Sequence, residues 1–196
     1  MGAFGRSWLR GAGLAAALLV GACGQKAEPL PVLPIGGDFA LTGHDGRPFE
    51  MASLRGRVAV VFFGYSFCPD FCPTTLSKLA SVAGRLEKDG AGFKTLYISV
   101  DPERDTPQVL KDDLANFKLD ALGLTGTKAE IDKVVTLFGA RYEIVPTPQS
   151  AGKYTVSHTT SLYLVDARGR VRIELPYEAS VDDVVKGIKS VLAAGA

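Results

Sequence analysis

Cys68 and Cys72 lie in the run Phe67-Cys68-Pro69-Asp70-Phe71-Cys72-Pro73. Thiolates are nucleophiles, redox partners and soft metal ligands, and their surroundings decide which of these roles they take. A continuous apolar stretch, Val58 to Gly64, precedes the pair, and Leu76, Leu79, Ala80, Ala83 and Leu86 follow it at helical spacing. The pair therefore sits where a buried strand gives way to a helix. Exposed amides and the helix dipole at such a place favour anionic sulfur. Pro73 is expected at the first helical position, where a missing N–H costs nothing.

Three residues separate the sulfurs, one more than in thioredoxin-type redox motifs. The wider loop can still close as a disulfide, and it also lets two thiolates converge on one ion. A purely structural staple is the plain alternative. A loop this short would constrain the unfolded chain by only about 2 kcal/mol, and a chain of this size does not need that to fold.

The chain has two histidines. His44 falls in a turn signal and reads as a surface residue. His158 comes just before an apolar run, Leu162 to Val165. The spacing alone leaves it open between a partly buried core histidine and a third ligand. Two thiolates and one imidazole would make a soft, low-coordinate site, which suits Cu(I) better than Mg²⁺ or Ca²⁺. Structural zinc would want four protein ligands, and a fourth is not evident. The acidic loop Asp101-Pro102-Glu103-Arg104-Asp105 follows the second apolar run, at the carboxyl end of a strand, where α/β sheets carry function. Asp101, Arg104 and Asp105 are candidate partner contacts, or else an ion-paired loop that caps a helix.

The elements that must position these residues can be read from pattern. Phe39–Thr42 and Pro48–Met51 flank His44-Asp45-Gly46 as a hairpin. Val58–Gly64 and Phe93–Val100 read as buried strands. Helices follow the cysteine segment, Thr106-Pro107 and the Thr127/Glu130 capping box. Leu162–Val165 and Val171–Leu175 read as paired strands, with a last helix opening at Ser180. The order is hairpin, β, α, β, α, α, β-hairpin, α, with 143–155 as a loop or irregular hairpin. This is the layout of an α/β, thioredoxin-like domain: a mixed sheet with helices on both faces, spanning 38–196.

Composition narrows the field. The 196 residues carry 22 Lys+Arg against 21 Asp+Glu and are 46% hydrophobic, which excludes a basic nucleic-acid binder and a disordered chain. Three cysteines exclude a disulfide-dense scaffold. Residues 1–22 hold Arg6, Arg10 and then an uncharged small and apolar run, the pattern of an export signal. The run ends Leu19-Val20-Gly21-Ala22-Cys23, which resembles a bacterial lipobox. Cys23 is then the expected lipidation site, 23–37 a Pro-rich tether, and the location the periplasmic side of a membrane, with the inner membrane favoured by the partner inferred below.

Phe63–Pro73, Ser99–Pro107, Gly123–Thr127 and His158-Thr159 resemble, in order and spacing, the SCO/SenC family. The resemblance spans about residues 36–194. It implies a thioredoxin-like copper protein for assembly of the binuclear copper site in cytochrome c oxidase subunit II, with Cys68, Cys72 and His158 as copper ligands. Copper is the implied cofactor, as Cu(I), with Cu(II) binding left open; an upstream copper donor or thiol reductant is a further implied partner. Ser157 departs from the family, where Asp often precedes the histidine, and the loop 146–153 lacks acidic residues found in some relatives.

Two functions compete. One is a metallochaperone that passes Cu(I) to the acceptor's thiolates. The other is a thiol–disulfide oxidoreductase that reduces the acceptor's cysteines through Cys68 and Cys72. A peroxiredoxin-like peroxidase is disfavoured, because Tyr65 occupies the position where such enzymes carry Thr or Ser.

Overall fold

The computed structural model describes residues 1–2, 30–88, 90–149 and 152–195. The expected export signal, Cys23 and the first part of the tether lie outside these residues. Strands β1 (Ala40–Gly43), β2 (Pro48–Glu50), β3 (Ala59–Gly64), β4 (Lys94–Ser99), β5 (Ala121–Thr125), β8 (Leu162–Val165) and β9 (Val171–Leu175) form one mixed sheet. Its order is β2-β1-β5-β4-β3-β8-β9. The β3, β4 and β5 strands run parallel, and β1, β8 and β9 pair antiparallel to their neighbours. Strands β6 (Tyr142–Pro146) and β7 (Tyr154–His158) make a separate two-stranded ladder.

β3 has no polar face because both of its faces are covered. Val61 and Phe63 join one core with Leu96, Ile98, Tyr163 and the apolar side of α3 (Lys128–Leu137). Val60 and Phe62 join the other with α1 (Phe71–Glu87), α2 (Pro107–Leu114) and α4 (Val181–Gly195). Each fully buried Leu or Val contributes about 1.5–3 kcal/mol, so this double burial fixes β3, and with it the chain leading to Cys68.

The caps follow the sequence. The Thr106 side chain accepts from the Val109 amide with Pro107 opening α2, and Thr127 and Glu130 form a reciprocal capping box on α3. Three expectations change. Helix α1 begins at Phe71, so Pro73 is its third residue; the amide it lacks is still one of the four without a helical partner. Strand β5 was not expected: Gly123 at its centre weakens the strand signal. That glycine lets α2 pack closely, since a Cβ there would come within 3.0 Å of Leu110 and 3.1 Å of Leu114. The span 143–155, expected as a loop or irregular hairpin, holds the turn end of a regular two-stranded ladder that pairs Tyr142 with His158 and Pro146 with Tyr154, with 147–153 as its connection.

Residues 30–37, expected as free tether, lie on the domain. Arg172 donates to the carbonyls of Pro31 and Leu30, Leu33 N–H donates to Val171 O at 2.9 Å, and Gly36 N–H donates to Leu137 O at 2.7 Å. Leu33 and Ile35 pack against the core, and burying them is what holds the strap down. Among the described residues no helix is long and apolar enough to cross a membrane.

Candidate metal centre

Strand β3 ends at Gly64, and Tyr65, Ser66 and Phe67 turn the chain toward Cys68. Cys68 N–H donates to Tyr65 O at 3.1 Å, and Val100 N–H ties the end of β4 to Gly64 O at 2.9 Å. Cys68 lies just before α1 and Cys72 is its second residue. Both are free thiols, 8% and 3% exposed, so neither is open to bulk solvent. The Cys72 amide, unpartnered within the helix, donates to Cys68 Sγ at 3.4 Å. The Cys72 sulfur enters the space above Gly64, where a Cβ would stand 2.7 Å from it. Glycine is therefore a condition of the sulfur's position.

His158 closes the site from the other side. It ends β7, and its Nε2 lies 3.8 Å from Cys72 Sγ. Its Nδ1 is 2.9 Å from Thr159 O, so Nδ1–H donates to that carbonyl and Nε2 keeps its lone pair for the centre. The Tyr65 ring meets the imidazole edge-on at 5.9 Å and 90°. The ligand atoms of Cys68, Cys72 and His158 all lie within 4.8 Å of one another. This is the span that metal–sulfur and metal–nitrogen bonds of about 2.0–2.3 Å bridge. The donors fit a soft cation: two sulfurs and one nitrogen, with no carboxylate among them. A cleft of about 400 Å³, lined by Tyr65, Pro69, Phe71, Val156 and Thr160 among others, adjoins them.

The two thiols differ in acidity. The hydrogen bond from Cys72 holds the Cys68 thiol down at about 3; burial opposes this, while His158 and the amides of Asp70 and Cys72 assist. The same pairing, joined by burial, pushes the Cys72 thiol far up.

The acidic loop after β4 works inside the protein. Asp101 and Asp105 are 2% and 0% exposed, which corrects their reading as partner contacts. Asp105 accepts from Ser66 N–H at 3.0 Å and from the hydroxyls of Ser66 and Ser99, fixing the turn that leads to Cys68. Burial raises its pKa. Arg104 pairs with Asp101 and donates to Gly152 O at 3.1 Å and Tyr154 O at 3.2 Å. Its guanidinium lies 3.7 Å from the Tyr154 ring centre and 5.0 Å from that of Phe67. Tyr154 O–H donates to Asp101 at 2.8 Å. Arg104 thus latches the hairpin that carries His158 onto the loop that carries the cysteines. It faces the β6–β7 ladder, while its neighbours Phe67 and Phe71 are 58% and 45% exposed.

His44 is remote from this centre. It is partly buried rather than a surface residue: its Nδ1 accepts from Gly123 N–H at 3.1 Å, and burial lowers its pKa. Tyr65 and Arg104 are the contributors whose roles the pattern did not reveal. The aromatic residues around Cys68 were a signal, but their stacking partners lie far away in the chain.

A mixed sheet with a strand–turn–helix thiol pair and an imidazole arriving from the late hairpin defines a thioredoxin-like protein with a three-ligand soft-metal site. The chain belongs to the SCO1/SenC family, whose model matches residues 27–193. It is 34% identical over 155 residues to a SCO2-like protein of Rickettsia felis, covering 79% of this chain and 76% of that one. The copper-bound structure of Bradyrhizobium japonicum ScoI is 38% identical, with a TM-score of 0.72, over 80% of this chain and 99% of that one. BsSco, described as a Sco-family cytochrome c oxidase assembly protein with a disulfide switch, is 26% identical, with a TM-score of 0.66, over 84% and 97%.

Proposed function

We propose that this protein binds one Cu(I) through Cys68, Cys72 and His158 and delivers it to the binuclear copper site of cytochrome c oxidase subunit II. The observation that carries this reading is the convergence of two sulfurs and one imidazole nitrogen within 4.8 Å. The copper-bound ScoI relative and the oxidase-assembly role of BsSco support it. Binding deprotonates Cys72 and leaves two thiolates, one neutral imidazole and Cu(I), with a net charge of −1. The start of α1 offsets that charge with its amides and dipole. The ion has only three protein ligands, so an incoming thiolate from the acceptor can add before one of them leaves. Cys72 then recovers its proton, and no electron moves.

The uncharged run before Cys23 and the two arginines preceding it support export and lipid attachment at Cys23, on the periplasmic face of the inner membrane. Trp8, the sole tryptophan, would leave with the signal.

The test is Cu(I) stoichiometry and affinity of anaerobically purified protein, wild type beside His158→Ala. Wild type should take up one Cu(I) per chain. Removing a ligand should cost more than the ~10–100-fold that outer-shell partners typically cost. Equal affinity in both would overturn the three-ligand site.

The second reading, a thiol–disulfide oxidoreductase, has its own support in the split acidity of the pair. A low-pKa Cys68 would attack and Cys72 would resolve. It predicts turnover of a disulfide substrate by metal-free protein and full oxidase assembly with His158→Ala.

A further inference from the structure

Tyr97 lies in the middle of β4, is 0% exposed, and is with Tyr163 among the largest fully buried side chains. Its ring stacks on Phe62 at 4.9 Å and 13°. Stacking accounts for an aromatic residue there, but not for a phenol. The buried hydroxyl has no hydrogen-bond partner of ordinary geometry among the described residues. A buried donor left unmade is costly, so such a group calls for an explanation.

The metal centre supplies one. A Cβ placed on Gly64 would meet the Tyr97 ring at 2.5 Å on Cε2 and 3.3 Å on Cζ, and Cys72 Sγ at 2.7 Å. The phenol edge and the ligand sulfur therefore crowd the same gap above one glycine. Gly64 keeps that gap free of a side chain of its own. A neutral thiol is a weak acceptor. A thiolate is a strong one, because hydrogen bonds to ionised acceptors are about twice as strong as neutral ones.

We infer that Tyr97 is a positioning residue for the metal centre, its hydroxyl placed to donate to the Cys72 sulfur. This deepens the copper reading and rests on Cys72 being a ligand. The bond would draw electron density from the thiolate, and so limit how tightly it holds a soft cation that must later be released. It would also favour the reduced pair over the disulfide, whose sulfurs are poorer acceptors.

The test needs no metal, so its failure is distinct from failure of copper binding. The protein disulfide is equilibrated with glutathione: one disulfide and two glutathione thiols give two protein thiols and one glutathione disulfide. Tyr97→Phe removes one oxygen and keeps the stacked ring. The variant should unfold at the same denaturant concentration as wild type or higher, because an unmet donor is gone. Its equilibrium should shift about tenfold toward the protein disulfide, about 30 mV. An equilibrium within twofold of wild type in a folded variant overturns the inference.

A second measurement stands if the variant does not fold. In wild-type protein labelled at tyrosine Cζ, the Tyr97 resonance should move between dithiol and disulfide forms by more than that of Tyr163, whose ring lies 6.0 Å from Phe63. A Tyr97 signal that moves no more than Tyr163 also overturns it.

Discussion

Both ends of the central sheet bury negative charge, and they treat it differently. At the end away from the cysteines, the turn between β8 and β9 buries Asp166. It accepts from the amides of Arg168 and Arg170 at 2.9 and 3.0 Å and pairs with the guanidiniums of Arg170 and Arg172 at 2.8 and 2.9 Å. Burial would raise its pKa, but the bonds from Arg170, Arg172 and Arg168 outweigh that and hold it down at about 2. Arg172 then reaches on to the strap at Leu30 and Pro31. At the metal end the sulfurs meet backbone amides and an imidazole rather than fixed guanidiniums. One end is fully compensated and serves stability. The other is left short of positive charge, which an incoming cation can supply.

The largest expected effect is at the compensated end. Asp166→Asn would leave two arginines facing a neutral amide and should cost about 3–5 kcal/mol, read from urea unfolding. In wild type the depressed pKa of Asp166 adds stability that is complete above about pH 4 and lost as pH falls through about 2. The shift corresponds to about 2 kcal/mol. The variant should lose that part of its acid sensitivity. A variant as stable as wild type would erase the contrast.

Gly64→Ala comes next. The added methyl would meet the Tyr97 ring at 2.5 Å and the Cys72 sulfur at 2.7 Å. Overpacking of this kind costs about 1–3 kcal/mol. Copper affinity should fall with it, because the sulfur has to move; unchanged affinity would show that the metal end tolerates displacement.

Arg104→Lys should be the mildest. It keeps the charge beside Asp101 but loses the planar contacts with Tyr154 and Phe67 and the fork to the Gly152 and Tyr154 carbonyls. Cu(I) affinity should drop about tenfold, at the low end of outer-shell effects, with the thiol–disulfide equilibrium unchanged. A shift in that equilibrium would mean that Arg104 acts on the sulfurs rather than on His158.

The sequence disclosed what depends on neighbours in the chain. The doubly buried β3, the capped α2 and α3 and the placement of the cysteines at the start of α1 were all legible, because strand runs, caps and helical spacing are local signals. Contacts that depend on distant partners were not. Gly123 hid β5, since its need for a close helix appears only once α2 is in place. The strap looked like free tether because its prolines and glycines favour extension, while its anchor, Arg172, lies far along the chain. His158 was undecided from spacing and pointed to copper only by resemblance; the geometry now places its Nε2 3.8 Å from Cys72. The acidic loop read from sequence either as a partner contact or as an ion-paired loop; it is the latter, because Ser66 and Ser99 claim Asp105 while Arg104 and Tyr154 claim Asp101.

Among the described residues the β6–β7 ladder shares no strand pairing with the main sheet. The two sulfurs lie at the start of α1 and the imidazole at the end of this ladder, which is seated on the same core through Val156 and held by Arg104. A bound ion would be one more tie across that seam, so loading the site would fasten the hairpin's end to the cysteine loop.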